Sequence, residues 1–109
     1  MAYDEALAER IRTMLSGEPV VEKKMFGGLA FLVGGNMSVA ASGQGGLMVR
    51  VEPGETGALL QEPGAEEFEM RGRSMTGWLR VNGPVLDDDA ALQAWVDRGV
   101  AYAHSLPAK

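Results

Sequence analysis

Bond-making chemistry has few candidates in this chain. His104 is the single histidine and there is no cysteine, so a nucleophile would have one base to pair with, and thiolate nucleophiles, disulfides and thiolate zinc sites are all excluded. One histidine without thiolates leaves no ligand cluster with metal spacing. The consecutive acids Asp87-Asp88-Asp89 point in different directions on a helix and read as cap and first-turn charge. Glu66, Glu67 and Glu69 read as the exposed side of a strand. The pairs Gly27-Gly28, Gly34-Gly35 and Gly45-Gly46 lack the Lys and Ser/Thr of a phosphate loop and read as turns. The residues therefore predict no enzyme, no metal and no cofactor, with a small enzyme of unfamiliar site as the last alternative.

Recognition is better supplied. Lys24, Phe26, Arg50, Arg71, Arg73 and Trp78 lie in the middle of the chain, with Arg71 and Arg73 in a glycine-flanked stretch just before Trp78. An aromatic ring among arginines can stack on a base or anchor a protein partner, and these six are the candidate binding residues. Seven methionines, five of them in or beside predicted strands, add either core filling or an adaptable binding face. The net charge of −5, from fifteen acidic and ten basic residues, disfavours a general phosphate-backbone binder. A protein partner is the expectation, with self-association through a sheet edge as one form of it and nucleic acid as the disfavoured alternative.

The elements that must position these residues are legible from periodicity. Residues 3–15 place Leu7, Ile11, Met14 and Leu15 on one helical stripe, which Gly17 and Pro19 end. From Val20 to Val51 the period falls to two. Val21, Lys23 and Met25 form a short edge-like strand. Leu29, Phe31 and Val33 lie on one face of the next strand, opposite Ala30 and Leu32, which predicts burial on both sides. After the hairpin turn Gly34-Gly35-Asn36, Met37, Val39 and Ala41 share a face of a third strand. Leu47, Val49 and Val51 share a face of a fourth, opposite Met48 and Arg50. Glu55 to Glu62 reads as a two-turn helix, Glu66 to Met70 and Trp78 to Val81 as strands, and the seven residues Arg71 to Gly77 as a loop between them. Leu92, Trp95, Val96, Val100 and Ala103 form the stripe of a long final helix.

With 109 residues, 46% of them apolar and 23% charged, the chain is expected to form one domain with one core. Helices mixed with consecutive strands predict an α+β fold of two layers, with the N- and C-terminal helices packed on an antiparallel sheet. No run approaches the length that spans a bilayer and the acidic N-terminus shows no signal peptide, so the expectation is a soluble, cytoplasmic protein.

The ordered set Lys23-Lys24-Met25-Phe26-Gly27-Gly28, Phe31, Gly35-Asn36-Met37, Leu47-Met48-Val49-Arg50 and Gly72-Arg73-Ser74-Met75-Thr76-Gly77-Trp78 resembles the TfoX N-terminal domain family, over nearly the whole chain. The resemblance implies a secretion-chaperone-like domain, α-β(3)-α-β(2)-α, with a five-stranded sheet. It also implies a bacterial cytoplasmic protein tied to transcriptional or competence regulation, without the second, C-terminal domain of full-length competence regulators. It implies no catalytic residues.

Overall fold

A computed structural model describes residues 3–25, 27–43, 45–70 and 72–107, apart from the side chains of Met70, Arg73, Ser74 and Met75. The chain opens with helix α1 (Glu5–Met14), whose N-cap Asp4 accepts hydrogen bonds through Oδ1 from the Ala6 and Leu7 amides at 2.9 and 3.1 Å. Its buried side chains, Leu7, Ala8 and Ile11, follow the helical period. Strands β1 (Val20–Met25), β2 (Gly28–Val33), β3 (Asn36–Ala41) and β4 (Leu47–Arg50) then form a meander. A single 3-10 turn (Pro53–Glu55) and the short helix α2 (Thr56–Leu59) lead to β5 (Ala65–Met70) and β6 (Arg73–Val81). A second 3-10 turn (Pro84–Asp87) precedes α3 (Asp89–Ser105).

All six strands join one antiparallel sheet in the order β1-β2-β3-β4-β6-β5. The fold is α+β, as expected; the sheet has six strands where the family resemblance implies about five, the sixth being the short edge strand β1 that the alternation of Val21, Lys23 and Met25 marks. Helix α3 lies over β3 and β4, and α1 packs beside it on the same face. That face holds the main core: Leu29, Phe31, Val39, Ala41, Leu47, Val49, Leu79 and Val81 meet Leu7, Ile11, Leu92, Trp95 and Val96. No helix among the described residues is long and apolar enough to cross a membrane.

Three local expectations are corrected. Met37 does not share a face with Val39 and Ala41. The β2–β3 register shifts between Phe31 and Leu32, so that Phe31 pairs with Val39 while Leu32 pairs with Met37, and Ser38 is the extra residue. Its buried hydroxyl donates to the Phe31 carbonyl at 2.9 Å, and the bulge turns Met37 to the opposite side. The expected loop over Arg71 to Gly77 is mostly strand: β6 begins at Arg73, which pairs with Met70, so the β5–β6 connection is two residues long. Pairing with β5 draws this polar stretch into the sheet despite its lack of apolar alternation. The expected two-turn helix over Glu55 to Glu62 shrinks to the four residues of α2, beyond which the chain tightens into turns, the Gln61 amide donating to the Ala58 carbonyl and the Glu62 amide to that of Leu59.

The edge strand β1 is tied to α1 by Arg12, whose Nε donates to Glu22 Oε2 at 2.6 Å and Nη2 to Oε1 at 2.8 Å; Arg12 also pairs with Glu9. The hydrogen bonds from Arg12 hold the Glu22 carboxyl below its usual range. A depressed carboxyl stabilises the folded state above the unfolded value of about 4.3 and loses that contribution as pH falls through the lower folded value. Glu22→Gln is therefore expected to lower the urea midpoint slightly at pH 7, with the gap from the parent closing as the titration is repeated down to about pH 3. A gap independent of pH would show that the ion pair is not its source.

Candidate functional site

The sheet has a second face that α1 and α3 do not cover. Cross-strand partners share a face, so the register defines it strand by strand. One row runs Lys23, Ala30, Ala40, Met48, Arg80, Glu66, from β1 to β5 across all six strands. A second runs Val21, Leu32, Met37 on the first three strands and continues with the pair Arg50 and Trp78 on β4 and β6. Ala30, Ala40 and Met48 are buried, and Met25, Leu32, Met37, Phe68 and Trp78 pack around them, half-buried. The small side chains in the middle of β2 and β3 form a floor that longer neighbours overhang. Val21, 65% exposed, is the large apolar side chain that most openly meets solvent among the described residues. Methionine supplies Met25, Met37 and Met48 of this surface, and its unbranched, polarisable chain repacks readily against a new contact.

Arg50 and Trp78, both expected as binding residues, come together here. They are register partners, and the guanidinium carbon of Arg50 lies 5.5 Å from the Trp78 ring centre. The same carbon lies 5.6 Å from the ring of Tyr102, on the C-terminal half of α3. Two cation–π contacts from different elements hold this long side chain in place, each contributing on the order of 0.5–1 kcal/mol or more as water is excluded. Lys24 does not join them: it pairs with Leu29, so it lies on the helix face at the β1 edge, exposed. Arg73 starts β6, its side chain outside the description. Phe26 and Arg71 lie outside the described residues.

Tyr102 is the member that sequence reasoning missed. It follows Trp95 by seven residues, two helical turns, and Arg98 between them stacks on Trp95 at 4.6 Å. That spacing places Tyr102 on the flank of the core stripe, two turns beyond its own aromatic member Trp95. Tyr102 also lines an open groove of about 510 Å³ between α3 and residues 51–59, together with Glu52, Glu55 and Arg98.

The groups with acid–base potential are engaged elsewhere. His104 is exposed in the last turn of α3, with Nε2 2.7 Å from Glu18 Oε1. Asp88 caps α3 by accepting from the Ala90 amide at 2.9 Å, Asp89 accepts from Arg10 at 2.7 Å, and Glu66 accepts from Asn82 Nδ2 at 2.7 Å. Among the described residues, no three His, Cys, Asp or Glu side chains are grouped to hold a metal ion. What the open face offers is contact: an adaptable apolar surface with an arginine clamped at one end and Lys23 at the other.

Residues 13–103 match the sequence model of a known family, the TfoX N-terminal domain. No curated protein sequence matches the chain.

Proposed function

Because the chain belongs to the TfoX N-terminal domain family, we propose that it is a non-catalytic regulatory or adaptor domain that binds another protein through the uncovered face of its sheet, in the service of transcriptional or competence regulation. The observation that carries this reading is the second apolar cluster, in which Ala30, Ala40 and Met48 are ringed by Met25, Leu32, Met37, Phe68 and Trp78 without a helix over them. A monomer has no need of an apolar face on the side its helices leave open, and Trp and Met are the residue types that concentrate at protein interfaces. The charge also selects the occupant. On a chain of net charge −5, a face with Lys23 and Arg50 at its margins attracts a protein surface that is apolar in the centre and acidic at the rim.

Affinity capture from the native cytosol tests the reading when it is joined to a footprint. The wild-type domain is expected to retain a protein that shifts the methyl resonances of Met25, Met37 and Met48, and Trp78→Ala is expected to weaken that complex about 30-fold or more, as removal of a central aromatic anchor does. Retention of the same proteins by both forms would overturn it, as would a footprint on α1, or on α3 away from Tyr102. Self-association through this face, or binding to DNA or RNA that appears at about 50 mM salt and vanishes on adding more, would assign the surface to a different occupant.

A further inference from the structure

Arg50 differs from three other arginines of the chain in how its charge is met. Arg10, Arg12 and Arg98 each have a carboxylate within ion-pair distance, on Asp89, Glu22 and Glu62 respectively. Among the described residues none pairs with Arg50, although the chain carries fifteen acids. Its guanidinium is held instead by the rings of Trp78 and Tyr102, at 5.5 and 5.6 Å. Ring faces balance the charge but do not take up the five N–H groups in the plane of the guanidinium, which keep their fork for a planar acceptor. A half-buried arginine fixed by two aromatic rings has already lost most of the freedom that binding would remove.

We propose that Arg50, with Trp78 and Tyr102 as its supports, is the receptor for an acidic side chain of the partner, and that the partner segment seats apolar neighbours of that acid on Leu32, Met37 and Trp78. This rests on the protein-binding reading above and specifies what the partner must carry. The carboxylate forks onto the guanidinium in a bidentate pair, the geometry for which arginine is better suited than lysine. A nucleic-acid phosphate chain fits the same face poorly. Lys23 stands three strand steps across the sheet from β4, roughly 14 Å at 4.7–4.9 Å per step; Ala30, Ala40 and Met48 fill the row between it and Arg80 on β6, whose guanidinium donates to the Gly45 carbonyl and whose register partner is the acid Glu66. A chain with a charge on every nucleotide would lie mostly on apolar side chains there, whereas one carboxylate among apolar residues would not.

The test is a selection of random 15-residue peptides displayed against the whole domain. Selected peptides are expected to share an Asp or Glu within four residues of at least two large apolar residues. Changing that acid to its amide in a synthetic peptide is expected to weaken binding about 10- to 100-fold, the range of a charge-assisted pair in a partly dry site. With Arg50→Gln the acid and amide peptides should bind alike, and with Arg50→Lys the preference should survive only in part; the double-mutant cycle isolates the pair. The peptide-side change needs no protein variant, so a poorly folded Arg50→Gln cannot mask the result. Peptides weakened by Trp78→Ala that show no preference for an acid, or whose preference persists in Arg50→Gln, would overturn this inference and leave the protein-binding reading standing. If no selected peptide is weakened by Trp78→Ala, both fall.

Discussion

Phe31→Ala is expected to lower the unfolding free energy by about 3–5 kcal/mol, measured as a fall in the urea midpoint with little change in slope. Phe31 is 1% exposed and, among the described residues, the largest side chain buried so completely, in the middle of β2 on the helix face. It pairs with Val39 on one side and Glu22 on the other, and belongs to the cluster that joins the sheet to α1 and α3. Its backbone carbonyl also accepts the Ser38 hydroxyl that stabilises the bulge in β3. Removing the ring leaves a cavity that two strands and two helices border, and fixed elements on every side collapse into it poorly. A domain of this size typically has about 5–15 kcal/mol of stability, so the loss is a large part of the total. A cost below about 1.5 kcal/mol would mean that the helix layer is not seated on β2 as described. Trp78→Ala, on the other face and half-buried, should cost distinctly less stability while removing binding, which separates the two layers' roles.

Most of the layer architecture was legible because each element carries its own period. The stripe Leu92, Trp95, Val96 and Ala103 of α3 is buried as its spacing requires, with Gly99 on the same side. Leu29 to Val33, apolar at every position, is indeed covered on both sides: by helices on one, by methionines and aromatics on the other. What could not be read depends on partners distant in sequence. The Ser38 bulge is a property of the β2–β3 register, and no alternation within Asn36–Ala41 reveals that Met37 has changed sides. Arg73 and Ser74 became strand because Met70 and Glu69 of β5 pair with them, a tertiary effect that overrides local preference. The site follows the same division. Arg50 and Trp78 were identifiable by residue type, but their contact exists because β6 rather than β5 pairs with β4, a crossover that the linear order hides. Lys24 fell away for a simpler reason: Lys23 and Lys24 must face opposite sides of a strand, and only the pairing with β2 decides which lies on the open face.

Helix α3 also carries a close steric constraint against the sheet, and a substitution there should separate close approach from helix propensity. Gly99 is buried where α3 crosses the Ser38 bulge. A β-carbon on it would lie 2.5 Å from the Ser38 carbonyl oxygen and 2.8 Å from Val39 Cγ1. In an exposed helix, Gly→Ala stabilises by about 1 kcal/mol because alanine gives up less backbone entropy. At Gly99 the sign is expected to reverse. The obstructing oxygen is backbone, fixed in a strand that pairs with β2 and β4, so the helix has to lift from the sheet and loosen the contacts of Leu92, Trp95 and Val96. Overpacking of this kind costs about 1–3 kcal/mol and occasionally more, and a contact this short with main chain belongs at the upper end. After the propensity gain, Gly99→Ala should be destabilising by about 2 kcal/mol. Gly99→Val, which adds two further carbons and a stiff χ1, should cost more than about 3 kcal/mol. Thermal melts of the two variants beside Gly57→Ala, whose β-carbon would meet open space, check the order: Val below Ala below the parent, with Gly57→Ala at or above it. If Gly99→Ala melted at or above the parent, the glycine would not be what lets α3 approach the bulge, and the packing of helix on sheet described here would be wrong at its centre.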